Sequence, residues 1–475
     1  MKIEILFLIS FLLTFFAIIG FKKPVLAFCL VVAIAPWQSL MVDIGLRVTM
    51  HILSMAGLIS AMLVTPWEKW KNTFANKIWW PLCIYLLWVL TTSLVQLPNF
   101  SEVQITGGIM RSPAYRSWVQ FGSLVLSLLP ILAAPMLLSS KKDLILVVKY
   151  FLYSIIILAF LGLFQLLSMY LFDYYPMPIG FVNKWLNGAM VVGSYGVPAD
   201  LGRAGIVYRI VSLGGEPRYL SQSLALALLI LQILWMERTI KFELKSILLF
   251  IFLFITLVET YASSGLLLWI ICASIIVLFQ LKNKYIFSNT KREWTIISII
   301  VSACFILIFL LININITGES HFSYIFARLI RRGFIADFDK PVLDFLLNNK
   351  DRIWFGVGLG NIHLYASDYM TPYFRDFAAN TAFVSDSGWL RLISETGVIG
   401  LVLLLWWFLN IWVNLKKLQN NLVMDKTIAI LKPMLLIAII GYLLRGTTFS
   451  ANSFSIIAIT MYPIIVLQNR KNNNL

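Results

Sequence analysis

The chain has 475 residues; 60% are hydrophobic, only 13% are charged, and the formal net charge is +16. A soluble domain carries roughly a quarter charged residues, so composition excludes an ordinary soluble fold. The positive charge does not point to nucleic acid, because most lysines lie in short clusters between apolar runs, as the membrane charge bias requires.

Those runs are continuous rather than alternating and recur at lengths of ~18 residues or more, which selects membrane-crossing helices over a barrel. The expected fold is all-α: a polytopic integral membrane protein with about 12–14 transmembrane helices in a single integral domain, 1–475, and two large loops on one side. About thirteen candidate spans follow one another at 3–20, 25–41, 48–64, 78–95, 118–138, 144–171, 219–236, 246–258, 265–280, 294–314, 397–413, 428–444 and 454–467. The first has only Lys2 ahead of it and no small-residue cleavage pattern behind it, so it reads as a retained helix rather than a signal peptide. The third carries Arg47 and His51 near its start. An odd number of spans leaves the N-terminus outside and an even number leaves it inside; that end stays open.

The connectors are of two kinds. Short lysine-rich ones contain Lys22-Lys23, Lys69 to Lys77, Lys141-Lys142, residues 238–245 and 282–292, Lys416-Lys417 with Lys426, and the tail Arg470-Lys471. They alternate with longer, lysine-poor ones at 98–117, 172–218 and 316–388. The charge bias puts the first kind in the cytoplasm and the second outside. Cys29, Cys83, Cys272 and Cys304 are isolated within apolar runs, and His51, His321 and His363 are far apart, so no disulfide or metal pattern is expected.

The stretch 316–400 is unlike the rest. It carries Arg328, Arg331, Arg332, Arg352 and Arg375 among several aspartates, and its Trp354, Phe355, Tyr365, Tyr369, Tyr373 and Phe374 argue for a folded extramembrane element. The loop 172–218 adds Arg203, Arg209 and Arg218 against Lys184 alone. Arginine is the planar, bidentate partner of phosphate and carboxylate. The set reads as an anion-binding outer surface; the plainer alternative is pairing with the local aspartates.

Three short segments could carry chemistry. In 209–218, Gly214-Gly215 makes a turn, Pro217 suits a first helical position and Glu216 its cap, which would aim a helix start at the outer interface. In 386–395, Asp386 and Ser387 open a helix on which Ser387, Arg391 and Glu395 share a face. Asp386 is either a general base beside a cationic site or a helix cap above an Arg391–Glu395 pair. The run Gly356-Val357-Gly358-Leu359-Gly360-Asn361 lacks the phosphate-loop spacing and reads as a backbone turn.

With these residues in view, the chain resembles the bacterial O-antigen polymerase and O-antigen ligase family over roughly residues 144–467. The matching pieces, in order, are Arg209 through Glu216-Pro217, Thr260-Tyr261-Ala262-Ser263-Ser264-Gly265, Trp354 through Asn361, and Asp386-Ser387-Gly388-Trp389-Leu390 through Glu395-Thr396-Gly397-Val398-Ile399-Gly400. The chain departs from the family at Ser263-Ser264, where a Ser-Arg pair is frequent, and at Asp386, where ligases usually carry a histidine. The Asp-Ser-Gly form is more like a polymerase.

The resemblance implies a metal-independent, inverting glycosyltransferase of the bacterial inner membrane, with loops 172–218 and 316–388 in the periplasm. The donor would be a glycan on undecaprenyl diphosphate and the acceptor a sugar hydroxyl of another lipid-linked repeat unit. A chain-length regulator protein is a further candidate partner; no cofactor, metal or nucleic acid is expected. Asp386 would be the general base, with Glu216 its rival and Ser387 orienting. Arg209, Arg218, Arg328, Arg331, Arg332 and Arg391 would bind diphosphate or glycan. Two other readings stand beside it: a ligase joining the glycan to lipid A core, and a lipid-linked oligosaccharide flippase. A transporter keeps its polar site near the membrane midplane, whereas these spans are nearly free of charge.

Overall fold

The computed structural model describes residues 3–37, 41–43, 47–95, 113–172, 199–200, 206–207, 210, 212–213, 217–237, 239–241, 243–282, 339–372, 375, 385, 387–421, 429–445 and 451–473. Helices α1 (Ile3–Lys22) and α2 (Pro24–Ile34) lead to an antiparallel ribbon of β1 (Met41–Asp43) and β2 (Arg47–Thr49). There follow α3 (Met50–Leu63), α4 (Trp67–Phe74), a 3₁₀ turn at Lys77–Trp79, α5 (Trp80–Val95), α6 (Pro113–Leu137) and α7 (Lys141–Phe172). A second short ribbon, β3 (Ala199–Asp200) with β4 (Ile206–Val207), precedes α8 (Pro217–Met236), α9 (Leu244–Glu259) and α10 (Ser263–Lys282). The chain continues through α11 (Lys340–Asn348), α12 (Lys350–Phe355), α13 (Ile362–Tyr365), a 3₁₀ turn at Ser367–Tyr369, α14 (Gly388–Asn421), α15 (Leu431–Arg445) and α16 (Ala451–Asn473).

The described chain is thus all-α apart from two short ribbons, and every candidate span within it coincides with a helix. The span at 294–314, most of loop 172–218 and nearly half of loop 316–388 lie outside the described residues. Among the described residues, five helices are long and apolar enough to cross a membrane: Lys77–Val95, Ala114–Leu137, Lys141–Ser168, Pro217–Met236 and Gly388–Leu418. The expected span at 25–41 is corrected to the shorter α2, because Pro36 cannot continue the amide ladder and disfavours helix in the residue before it. Arg47 lies in β2 rather than in a helix; Thr49 then caps α3, its hydroxyl accepting from the Ile52 amide at 3.3 Å.

Two compact units form. The first comprises Met1–Val64, Leu137–Arg331 and Leu422–Ile437. In it α1 and α2 pack on α3, α2 also meets α7, and α8 packs against α9 and α10. α8 begins at Pro217, where a missing amide is harmless, and is buried almost all round. The second unit comprises Thr65–Met136, Arg332–Asn421 and Ala438–Leu475. Here α14 is the central post: α5 runs along it, α12 crosses it, and α11 and α16 also rest on it. Val342, Phe345, Leu346, Val357, Ile362 and Leu390 form a small apolar core beneath α11 and α13.

Candidate functional site

The site in the second unit is built around a break in α14. Gly397 has φ 74° and ψ 174°, a conformation open essentially to glycine alone. Gly356, at the end of α12, has φ 73° and ψ −171°. The two backbones touch there. A Cβ on Gly356 would strike the Glu395 carbonyl, and one on Gly397 would strike the Trp354 carbonyl.

The glycine run 356–361 lies in the break and is buried. Val357 N–H donates to the Ser394 carbonyl and Gly358 N–H to the Glu395 carbonyl, each at 2.9 Å. Leu359 N–H donates to Ser93 Oγ at 3.2 Å, and the Leu359 carbonyl accepts from Ser117 Oγ at 3.1 Å. Asn361 Nδ2 donates to the same Ser117 oxygen at 2.7 Å, and Trp88 Nε1 donates to the Thr396 carbonyl at 2.7 Å. These amides face protein acceptors, so the run is a structural turn and not a phosphate cradle.

Charged groups gather beside this turn. Arg391 Nε donates to Glu395 Oε1 at 3.2 Å, with the Glu395 side chain 1% exposed and that of Arg391 18%. The same carboxylate oxygen accepts from Gly360 N–H at 3.2 Å. Arg116, in the first turn of α6, places Nη1 3.0 Å from His363 Nε2. A guanidinium can only donate, so Nε2 accepts and the ring proton sits on Nδ1. Burial, then the Arg116 charge, and lastly the Arg391 charge push the His363 pKa down to about 3, against a smaller opposing pull from the Gly360 backbone. His363 is therefore neutral. Two guanidiniums, a neutral imidazole and one carboxylate converge at one end of α14, a set able to receive an anionic group and stabilise charge that develops on it.

A second buried cluster holds the start of α14. Asp339 is fully buried; its Oδ1 accepts from Ser385 Oγ at 2.7 Å and from Ser387 N–H at 3.3 Å, and its Oδ2 accepts from Ser387 Oγ at 2.6 Å. The Ser387 carbonyl in turn accepts from Arg391 N–H at 3.0 Å, closing the first helical turn. Ser387, expected as an orienting hydroxyl, spends its proton on Asp339.

Of the residues expected from sequence, Asp386, Glu216, Arg209, Arg328, Arg331 and Arg332 lie outside the described residues. Arg218 belongs to the first unit. Its Nη2 donates to Tyr219 Oη at 3.1 Å, and its guanidinium carbon stands 4.8 Å from the centre of that ring. Ser387 and Arg391 belong to the second unit, where Arg391 joins the charged cluster. Sequence reasoning missed Arg116, His363 and Asp339 as partners. The available signals were the position of His363 just after the glycine run and of Arg116 just after Pro113 at the start of a span. Among the described residues no three His, Cys, Asp or Glu side chains come together as a metal site. No family model matches the chain, and no curated protein matches it.

Proposed function

We propose that this chain is a glycosyltransferase that polymerises undecaprenyl-diphosphate-linked repeat units into O-antigen or another surface polysaccharide at the periplasmic face of a bacterial inner membrane. The observation that carries the proposal is the gathering of Arg116, His363, Arg391 and Glu395 at one end of α14. Residues 398–415 beyond the break hold no charge. The charged groups therefore sit toward one end of the span Gly388–Leu418 and not at its middle. A one-edge site of this kind suits an enzyme acting on lipid-borne head groups better than a transporter, whose site sits near the midplane.

The proposed reaction joins this cluster to a carboxylate expected from the sequence. A carboxylate, Asp386 with Glu216 as its rival, takes the proton of the acceptor hydroxyl. The hydroxyl oxygen forms a bond to the anomeric carbon from the face opposite the leaving group, and the anomeric carbon–oxygen bond to diphosphate breaks. The diphosphate departs on its lipid, and its developing charge needs a cation; Arg391 is the expected arginine that the second unit supplies.

The test is the glycan profile of cells carrying Asp386→Asn in place of the native chain. The variant is expected at normal level in the membrane with polymer formation down by ~100- to 10,000-fold. In cells lacking the chain altogether, long chains should vanish while a single repeat unit remains on lipid A core. Loss of every attached unit would make the protein a ligase. Unchanged long chains would overturn the reading, and a fully active Asn variant would move the base to Glu216.

A further inference from the structure

We infer that residues 350–360 do not lie over the membrane but dip into one leaflet as a short re-entrant element, with Trp354 and Phe355 facing acyl chains. This goes beyond the proposed glycosyl transfer and needs only that α5 and α14 cross the bilayer.

Depth is the first reason. The span Lys77–Val95 has 19 residues, about 28 Å at 1.5 Å per residue, no longer than the ~30 Å core it must cross. The apolar run itself gives way at Gln96-Leu97-Pro98-Asn99, which sets one edge of the hydrocarbon near Val95. Trp88 stands two helical turns before it, about 10 Å inside. The Phe355 ring lies against the Trp88 ring, with centroids 6.1 Å apart. The glycine run then climbs back along α5. Gly358 rests on the Ser93 backbone, and Leu359 N–H reaches Ser93 Oγ at 3.2 Å, more than a turn nearer the edge.

Surface chemistry is the second reason. α5 exposes Ile84, Leu87 and Leu94, and α14 exposes Val402, Leu405 and Leu409, each set at helical spacing. In membrane-crossing helices such stripes meet lipid. Trp354 is 57% exposed and Phe355 52%, and through Trp88 they extend the α5 stripe. α12 is also graded along its length. Lys350, Asp351 and Arg352 occupy its start and the two aromatics its tip, with Arg352 drawn back over the Tyr365 ring at 5.5 Å. Aromatic tips below charged starts are the pattern of a membrane interface.

Backbone accounting is the third. Irregular backbone at membrane depth persists only where it is buried in protein or lines a water-filled cavity, never where it faces lipid. The amides of Val357, Gly358, Leu359 and Gly360 each have a protein acceptor, and the run is buried. The Gly360–Glu395–Arg391 contact then lies just within the edge of the core.

The test uses the full chain in phosphatidylcholine nanodiscs. Cys29, Cys83, Cys272 and Cys304 are replaced by serine or alanine, and a single nitroxide is placed through Trp354→Cys or Phe355→Cys. Leu87→Cys is the lipid reference and Asp368→Cys the water reference. At positions 354 and 355, collision with oxygen should exceed collision with a water-soluble nickel chelate, as at Leu87. Values like those at Asp368 would overturn the inference, and so would exclusion of both reagents, which would mean a protein partner covers the tip. Wild-type protein supplies a check independent of the variants. Photoactivatable diazirine acyl chains in the nanodisc should leave adducts on residues 350–356, and labelling of α5 without labelling there would also overturn it. Neither readout depends on catalytic activity, so failure of the glycosyltransferase reading leaves this result untouched.

Discussion

His363 stays uncharged because burial and two guanidiniums oppose its protonation. An unfolded histidine takes up a proton near pH 6.5, whereas the folded one resists until about pH 3. Between those values the unfolded chain binds more protons, so stability falls as the pH drops below about 6.5. Thermal unfolding in detergent should show a lower Tm at pH 5 than at pH 7, and His363→Gln should narrow the difference. An equal drop in the variant would place the acid sensitivity elsewhere. The neighbouring ion pair gives a second residue-level expectation. Glu395→Ala strands a partly buried guanidinium and removes the acceptor of Gly360. Losing one partner of a fully buried pair costs about 3–5 kcal/mol, and the 18% exposure of Arg391 lowers that figure. Glu395→Gln keeps an oxygen for Gly360 and should unfold at a temperature between wild type and Glu395→Ala. Arg391 was legible as a partner of Glu395 from their four-residue spacing alone, since helical geometry puts such pairs on one face. Arg116 and His363 were not, because a contact across 247 positions leaves no mark in local sequence.

At the level of elements, α14 shows what hydropathy registers and what it misses. The apolar pattern starts at residue 397, because Arg391, Ser394, Glu395 and Thr396 interrupt it. The helix itself starts at Gly388, and residue 397 is where it breaks. The pattern thus found the break rather than the start of the helix. Gly397→Ala should be destabilising for two separate reasons. Its φ of 74° with ψ 174° costs about 1–3 kcal/mol for a residue with a side chain, and its new Cβ would meet the Trp354 carbonyl. Gly356→Ala faces the same crossing from the other side. The double variant should lose less than the sum of the single ones, since both disturb one contact. Thermal unfolding of the three proteins checks this, and strict additivity would mean that the two glycines act independently.

For the whole molecule, the lysine clusters and the lysine-poor loops assign sides. Tyr369→Cys should react with a membrane-impermeant thiol reagent in intact cells, and Asn283→Cys only after the membrane is opened. The reverse pattern would invert the orientation and with it the side on which Arg391 and Glu395 lie. The lysine rule is legible without a fold because it acts on short connectors during insertion, before the helices pack.

The sequence by itself determined that this chain is helical and built for a bilayer. Runs of apolar residues must satisfy their own backbone in lipid, and helices do so locally. It also marked where α8 begins, because proline at a first helical position is a local rule. The tertiary structure decided the rest of the site. Only packing brings Gly356 onto Gly397, holds Asp339 on Ser385 and Ser387, and sets Arg116 on His363. Each of those contacts joins segments far apart in the chain. Their energy comes from burial and hydrogen-bond completion, which exist only once the helices have met.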